Sequence, residues 1–375
     1  MRITIDATGL SPYQTGTVTY LVEILAQFNA QTDLVHEFLI FCSPAVRHHF
    51  DDLGLDDRFK LVMTPSRKLA QLLWQQTVLP YRLWRLKADV HWGPGFVLPI
   101  IWVCPMVVTV HDMTFELFAH AHEPVKRIYF PFMIRRSVKR AAKVLCVSRT
   151  TADDLIRLIK SSRGKEVITP LAARQTRGSL GASAATDAFT FPTQPYLLYV
   201  GTLEPRKNLA RLLQAWRSLD ATERDDYQLV IVGIKGWMIE SLLAQAHESK
   251  QQQAAVEVLG HVSNAALDAL LRHATAFVYP SLYEGFGLPV IEAMAAGVPV
   301  LTSNVGATRE IAHDAALLVD PHSVPAIKEA LITLLQDQAL RVQLATAGRA
   351  RAAEYDWSRT ATLTFDALIG AAKAG

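Results

Sequence analysis

Glu284 and Glu292 stand on either side of a glycine-bearing turn, Glu284-Gly285-Phe286-Gly287-Leu288-Pro289, that joins an apolar run at 276–279 to a helical run ending near Gly297. The apolar run reads as a buried parallel strand, and Pro289 and Gly297 bracket the helix. Gly285 and Gly287 let main-chain N–H groups approach an anion at the helix N-terminus, where the dipole also favours negative charge. A phosphate accounts for the glycines, but it would be repelled by carboxylates aimed at it. Carboxylates are suited instead to accept hydrogen bonds from hydroxyls. A sugar nucleotide, with a pyrophosphate between two hydroxyl-rich rings, satisfies both groups at once. Taken singly, Glu284 also reads as a solvated turn residue and Glu292 as a helix-dipole carboxylate. In a loop that also holds Tyr283, Phe286 and Leu288, charge without a partner is costly, which favours the ligand reading for the pair.

A second cluster is Gly201-Thr202-Leu203-Glu204-Pro205-Arg206-Lys207-Asn208, after a strand-like run at 196–200. It puts two cations beside a helix start that Asn208 is placed to cap. Arg206 and Lys207 suit a diphosphate leaving group, whose charge grows as its bond to the sugar breaks; the alternative is a solvated basic loop. Gly16, between the first strand and first helix, admits a phosphate or acceptor close to the backbone. His111 and Asp112 end another strand, where polar groups face a ligand, although a lone His is often structural. No D-x-D triplet occurs, so no metal site is expected, and no G-x-G-x-x-G, G-x-S-x-G or Walker phosphate loop is present.

The elements that must position these residues alternate along the chain. Strand-like runs at 3–6, 38–42, 61–63, 89–92, 107–110, 144–147 and 167–169 accompany helical runs at 18–28 and 151–159. A stretch rich in Ala, Gly, Ser, Thr and Pro at 173–195 reads as a linker. A second series follows, with strands at 196–200, 229–232, 256–259, 277–279 and 300–302 and helices at 209–219, 265–273 and 290–296. The expectation is α/β architecture: two doubly wound, Rossmann-like domains facing a cleft, spanning 1–172 (acceptor binding) and 196–355 (nucleotide-sugar binding). A last helix within 356–375 has no strand after it and is expected to pack back on the first domain.

At 375 residues two domains are the default, and half the residues are hydrophobic, as in a well-packed soluble protein. The formal net charge of +3 gives no case for nucleic acid. No apolar stretch reaches membrane-spanning length and the N-terminus lacks the core of a secretion signal, so a cytoplasmic location is expected. Cys42, Cys104 and Cys146 lie far apart in apolar contexts and read as buried free thiols. Residues 67–87 interleave Arg67, Lys68, Arg82, Arg85 and Lys87 with leucines and tryptophans. That pattern suits peripheral contact with anionic lipid at the inner membrane, or an ordinary surface helix that turns its aromatics inward.

With Glu284-x7-Glu292, Gly201-Thr202-Leu203-Glu204-Pro205-Arg206-Lys207-Asn208 and Gly297-Val298-Pro299-Val300, the chain resembles the retaining glycosyltransferases of family four, which have the GT-B fold. More narrowly it is similar to bacterial mannosyltransferases of O-antigen and exopolysaccharide assembly. The resemblance implies a hexosyltransferase that needs no metal or other cofactor, takes a nucleotide sugar such as GDP-mannose as donor, and extends a lipid-linked glycan. It also implies Glu292 on the ribose hydroxyls, Glu284 on the donor sugar with N–H groups from Gly285, Phe286, Gly287 and Leu288 nearby, and Lys207 on the diphosphate. His111 would lie beside the transferred sugar and Gly16 beside the phosphates. Many members carry an arginine where this chain has Thr202, and Arg206 is the substitute second cation. A nucleotide-sugar epimerase of the same fold is the competing reading, and a non-catalytic sugar-nucleotide sensor a third.

Overall fold

The computed structural model describes residues 1–32, 35–118, 124–175, 191–224, 227–233 and 255–374. Most of the expected linker, 176–190, lies outside the described residues. The chain forms two compact units, Met1–Arg174 with Asp356–Gly375, and Gln175–Tyr355.

Among its described residues the first unit contains seven parallel strands: β1 (Arg2–Asp6), β2 (Glu37–Cys42), β3 (Phe59–Met63), β4 (Val90–Gly93), β5 (Met106–Val110), β6 (Lys143–Cys146) and β7 (Glu166–Ile168), in spatial order β3-β2-β1-β4-β5-β6-β7. Its helices are α1 (Gly16–Ala30), α2 (His48–Asp51), α3 (Lys68–Leu86), α4 (Thr114–Leu117), α5 (Pro124–Arg140) and α6 (Arg149–Leu158). A parallel sheet covered on both faces needs strands apolar on both sides, and β5, Met-Val-Val-Thr-Val, is buried at every position.

Among its described residues the second unit has six parallel strands: β8 (Tyr196–Val200), β9 (Gln228–Val232), β10 (Val256–Gly260), β11 (Ala276–Tyr279), β12 (Val300–Ser303) and β13 (Leu317–Val319), in order β10-β9-β8-β11-β12-β13. Its described helices are α7 (Leu209–Arg217), α8 (Ala221–Arg224), α9 (Asn264–His273), α10 (Leu288–Ala295), α11 (Gly306–Ala312), α12 (Val324–Gln336) and α13 (Gln338–Ala352). From β8 the chain first builds outward through β9 and β10, then returns to the other side through β11. The β8/β11 border is therefore a topological switch point, where the loops at the strand ends part and leave room for a ligand. In the first unit β1 and β4 form the corresponding border.

The last helix, α14 (Trp357–Ala374), belongs to the first unit and packs against α1, β4 and β5. Trp357, Thr360, Ala361, Thr364, Leu368 and Ala371 make one buried stripe at helical spacing. Trp357 Nε1 donates to the Ala173 carbonyl at 2.8 Å and the Thr360 hydroxyl donates to that of Pro170, fixing the helix to the chain just after β7.

The three cysteines are free and buried. Burial pushes the Cys42 thiol up to about 11 and those of Cys104 and Cys146 to about 12, so all three stay protonated and unreactive at neutral pH. Among the described residues, no helix is long and apolar enough to cross a membrane.

Candidate active site

The loop after β8 turns sharply. Pro205–Lys207 form one 3-10 turn, Asn208 follows in the left-handed region with φ 61°, and α7 begins at Leu209. Asn208 does not cap α7 with its side chain, contrary to expectation. Its amide nitrogen instead donates to the carbonyls of Pro280 at 2.8 Å and Pro321 at 2.7 Å, tying together the loops after β8, β11 and β13. The Leu282 N–H donates to the Arg206 carbonyl at 2.9 Å, and the Ser281 Oγ lies 3.2 Å from the same oxygen. These bonds set the cations of one loop against the carboxylate of the other.

Glu284 is 7 % exposed and accepts from four side chains. Its Oε1 takes Lys207 Nζ at 2.6 Å, Tyr279 Oη at 2.7 Å and Ser281 Oγ at 2.7 Å; Oε2 takes Lys207 Nζ at 2.8 Å and Arg206 Nη1 at 3.2 Å. Arg206 also donates to the Tyr283 carbonyl at 2.7 Å and to Glu204 at 2.5 Å. Burial alone would raise the Glu284 carboxyl, but the Lys207 and Arg206 charges and the bonds from Lys207 and Ser281 outweigh it and hold the group down at about 2. Lys207 is pushed below its ordinary value, first by burial and then by Arg206, with Glu284 and Glu204 opposing. Burial and then the Glu284 charge push the Tyr279 phenol up, which keeps it protonated and able to donate.

Sequence reasoning expected Glu284 to meet sugar hydroxyls. In the structure its acceptor sites are occupied by protein donors, so the chemistry this geometry supports is the positioning of two cations. Glu204, Tyr279 and Ser281 complete the cluster, and no role for them was read from the sequence. The available signal was their place at the carboxyl ends of β8 and β11, which was read only as strand and turn.

The glycine turn leads directly into α10. Gly287 sits at the N-cap with φ 106°, a conformation costly for any residue with a Cβ, and Pro289 follows within the first turn. The Phe286 side chain is 4 % exposed and packs edge-on against Tyr355, with ring centroids 5.7 Å apart. What Phe286 can offer a ligand is therefore its main chain, and half-buried Leu288 provides the first N–H of the helix. Glu292 is half-buried in the second turn of α10, and the first turn holds no acidic residue. A carboxylate that far along gains little from the helix N-terminus, which removes the helix-dipole explanation for it.

In the first unit, Gly16 opens α1 after β1, and His111 immediately follows β5. The His111 ring lies edge-on between Tyr20, at 4.9 Å between centroids, and Phe96, at 5.5 Å. Its Nε2 lies 2.6 Å from the Pro94 carbonyl, which can only accept, so Nε2 carries the proton. Burial lowers the ring's pKa, so at neutral pH it is uncharged, and Nδ1 is the nitrogen able to accept a hydroxyl proton. Tyr20 belongs to α1, so the helix opened by Gly16 also supports His111.

Two parallel-sheet α/β units, with candidate ligand groups at the carboxyl ends of their strands, are the architecture of GT-B enzymes. Solved structures with the same fold include sucrose-phosphate synthase from Thermosynechococcus elongatus, 20 % identical, covering 100 % of both chains with a TM-score of 0.75. Another is WaaG, a glycosyltransferase involved in lipopolysaccharide biosynthesis, 18 % identical, covering 98 % of this chain and 100 % of that one with a TM-score of 0.75. The chain belongs to the GT-B glycosyltransferases: residues 15–170 match the family described as Glycosyltransferase Family 4, and residues 186–351 match Glycosyl transferases group 1. It is 36 % identical over 285 residues to O-antigen chain mannosyltransferase B of Escherichia coli, covering 75 % of this chain and 74 % of that protein. It is 27 % identical over 350 residues to O-antigen chain mannosyltransferase RfbU of Salmonella typhimurium, covering 89 % of each.

Proposed function

We propose that this glycosyltransferase moves mannose from GDP-mannose to a lipid-linked glycan acceptor, with retention of configuration, in the synthesis of O-antigen or a similar surface polysaccharide. The observation that carries the diphosphate part is the Glu284-held pair Arg206 and Lys207 beside the N-terminus of α10. The choice of mannose rests on the likeness to the two O-antigen chain mannosyltransferases. An acceptor on a lipid carrier would make the protein a peripheral partner of the cytoplasmic face of the inner membrane.

In this reading Lys207 and Arg206, with the N–H groups of 285–288, meet the diphosphate, and Glu292 accepts from the ribose hydroxyls. Neutral His111 accepts from a hydroxyl of the transferred sugar through Nδ1, and Gly16 admits phosphate oxygens near the start of α1. Glu284 serves by holding the cations. As the bond between the anomeric carbon and the phosphate oxygen breaks, negative charge grows on the diphosphate. Cations already fixed in place stabilise that charge without reorganising, a contribution typically of several kcal/mol. The leaving phosphate takes the acceptor's proton as the new bond forms on the same face of the sugar, so no protein nucleophile and no metal are required.

The test is incubation of the purified protein with a panel of GDP- and UDP-sugars and an undecaprenyl-linked acceptor. Extension of the acceptor, fastest with GDP-mannose, is the expected result. An isomerised donor would make the protein an epimerase, and an unchanged donor and acceptor would remove the enzymatic reading.

A further inference from the structure

In the first unit, the connections from β3 to β4, β4 to β5 and β5 to β6 all step in the same direction across the sheet. Right-handed crossovers therefore place α3, the segment 94–105 and α5 on one sheet face. Direct contacts join them. Gln76 of α3 accepts from the Ile100 N–H at 2.9 Å, and the Arg140 guanidinium at the end of α5 lies 5.9 Å from the Trp102 ring centroid.

This layer is apolar on both sides. Toward the sheet, α3 buries Leu79 and Leu83, and Trp74 packs on Phe41. Away from it, Leu69, Leu73, Tyr81 and Trp84 recur at helical spacing and are 71, 59, 53 and 65 % exposed. The inward turn of aromatics weighed from the sequence thus holds for Trp74, whereas Tyr81 and Trp84 point out. The neighbouring segment leaves Ile101 and Trp102 exposed, and α5 leaves Ile128 and Phe132 exposed at 76 and 60 %. An isolated exposed apolar residue means little, but a surface shared by three adjacent elements marks a place of contact.

Charge identifies the partner. The whole chain is nearly balanced, with 38 Lys and Arg against 35 Asp and Glu. Residues 67–88, 94–105 and 124–143 nevertheless contain no Asp or Glu, while α3 and its ends carry Arg67, Lys68, Arg82, Arg85 and Lys87. On α5, Arg127, Lys139 and Arg140 are exposed. Two nearby carboxylates are engaged elsewhere: Asp89 accepts from the Arg2 N–H, and Glu116 pairs with Arg135, while Glu123, just before α5, lies outside the described residues. Leucines that enter hydrocarbon, tryptophan and tyrosine at headgroup depth, and cations in segments that carry no carboxylate of their own match an anionic bilayer surface.

We propose that α3, residues 100–103 and α5 form the surface by which this protein docks on anionic phospholipid. This deepens the peripheral-membrane part of the functional reading, but it rests on exposure and charge and requires neither donor nor acceptor.

The experiment is sedimentation of the full chain with vesicles of phosphatidylglycerol and phosphatidylcholine, against vesicles of phosphatidylcholine alone, at low and high salt. Binding should require phosphatidylglycerol and fall several-fold between about 50 and about 500 mM salt. The double variant Leu73→Ser, Trp84→Ser should lose about tenfold in partitioning, as should Arg82→Glu, Arg85→Glu, with the circular dichroism melt and GDP affinity unchanged. No binding to anionic vesicles, or equal salt-independent binding to both kinds, overturns the proposal. So does concentration-dependent self-association in light scattering that the same variants abolish, since the surface would then serve a second copy. Transfer to a short soluble acceptor is measured alongside. If transfer persists while vesicle binding fails, the surface is wrong and the function stands; the reverse pattern refutes the function alone.

Discussion

Glu284 shows how a residue's chemistry depends on what its neighbours leave it free to do. Its carboxyl, with an ordinary value of 4.5, is held at about 2 in the folded protein. A depressed carboxyl stabilises the fold fully above its unfolded value, and that contribution is lost as pH falls from about 4.5 toward about 2. The shift corresponds to about 3 kcal/mol in this buried setting. Glu284→Gln should therefore lower the melting temperature of the second unit most near neutral pH, and the gap to the natural protein should close in acid. Thermal melts across pH 3 to 7 measure this, and a gap independent of pH would remove the ion-pair assignment. The presence of Glu284, Arg206 and Lys207 in one site was legible from their types and positions at strand ends. Their mutual bonding was not, because Tyr279 and Ser281, which complete the donors around the Glu284 carboxylate, look like an ordinary strand residue and a turn serine until the backbone is folded.

At the scale of elements, the two backbone positions that shape the loops of the second unit lead to different expectations. A Cβ on Gly287 would meet only ordinary contacts, 3.6 Å from Thr308 and 3.9 Å from Ile311, so Gly287→Ala is opposed by its φ of 106° alone. A cost of about 1–2 kcal/mol is expected, with a raised donor KM as the N–H groups of the turn shift. A Cβ on Gly233 would lie 1.9 Å from the Gly201 carbonyl oxygen, where the loops after β8 and β9 meet. Gly233→Ala must move backbone and should destabilise more than Gly287→Ala in chemical denaturation; the opposite order would contradict this packing. The sequence made the strands legible because parallel strands buried on both faces are continuous apolar runs, as in Leu-Val-Ile-Val of β9. It left α5 without an assignment, because Pro131 and the basic residues Arg127, Arg135 and Arg136 break the simple apolar period that marked α1. Asn208 reads as a helix cap by residue type, yet its left-handed φ directs the amide to Pro280 and Pro321.

For the whole molecule, the proposed function divides the labour within a nucleotide-sugar site: buried cations would act on the charge that develops in the transition state, while Glu292 would bind a part of the donor that does not react. An interaction made only in the transition state lowers kcat when removed, whereas one made equally in ground and transition states raises KM. Lys207→Ala is expected to weaken the fold as well, since it leaves Glu284 with one cation instead of two, so its melting temperature must be recorded and the assay run well below it. The direct measurement is kcat and KM for GDP-mannose in Lys207→Ala and Glu292→Ala, each with the same acceptor at saturation. The account predicts a loss of about 100-fold or more in kcat for Lys207→Ala. For Glu292→Ala it predicts a raised KM, with kcat changed several-fold at most. Equal and negligible effects of the two substitutions, or a kcat loss confined to Glu292→Ala, would contradict it.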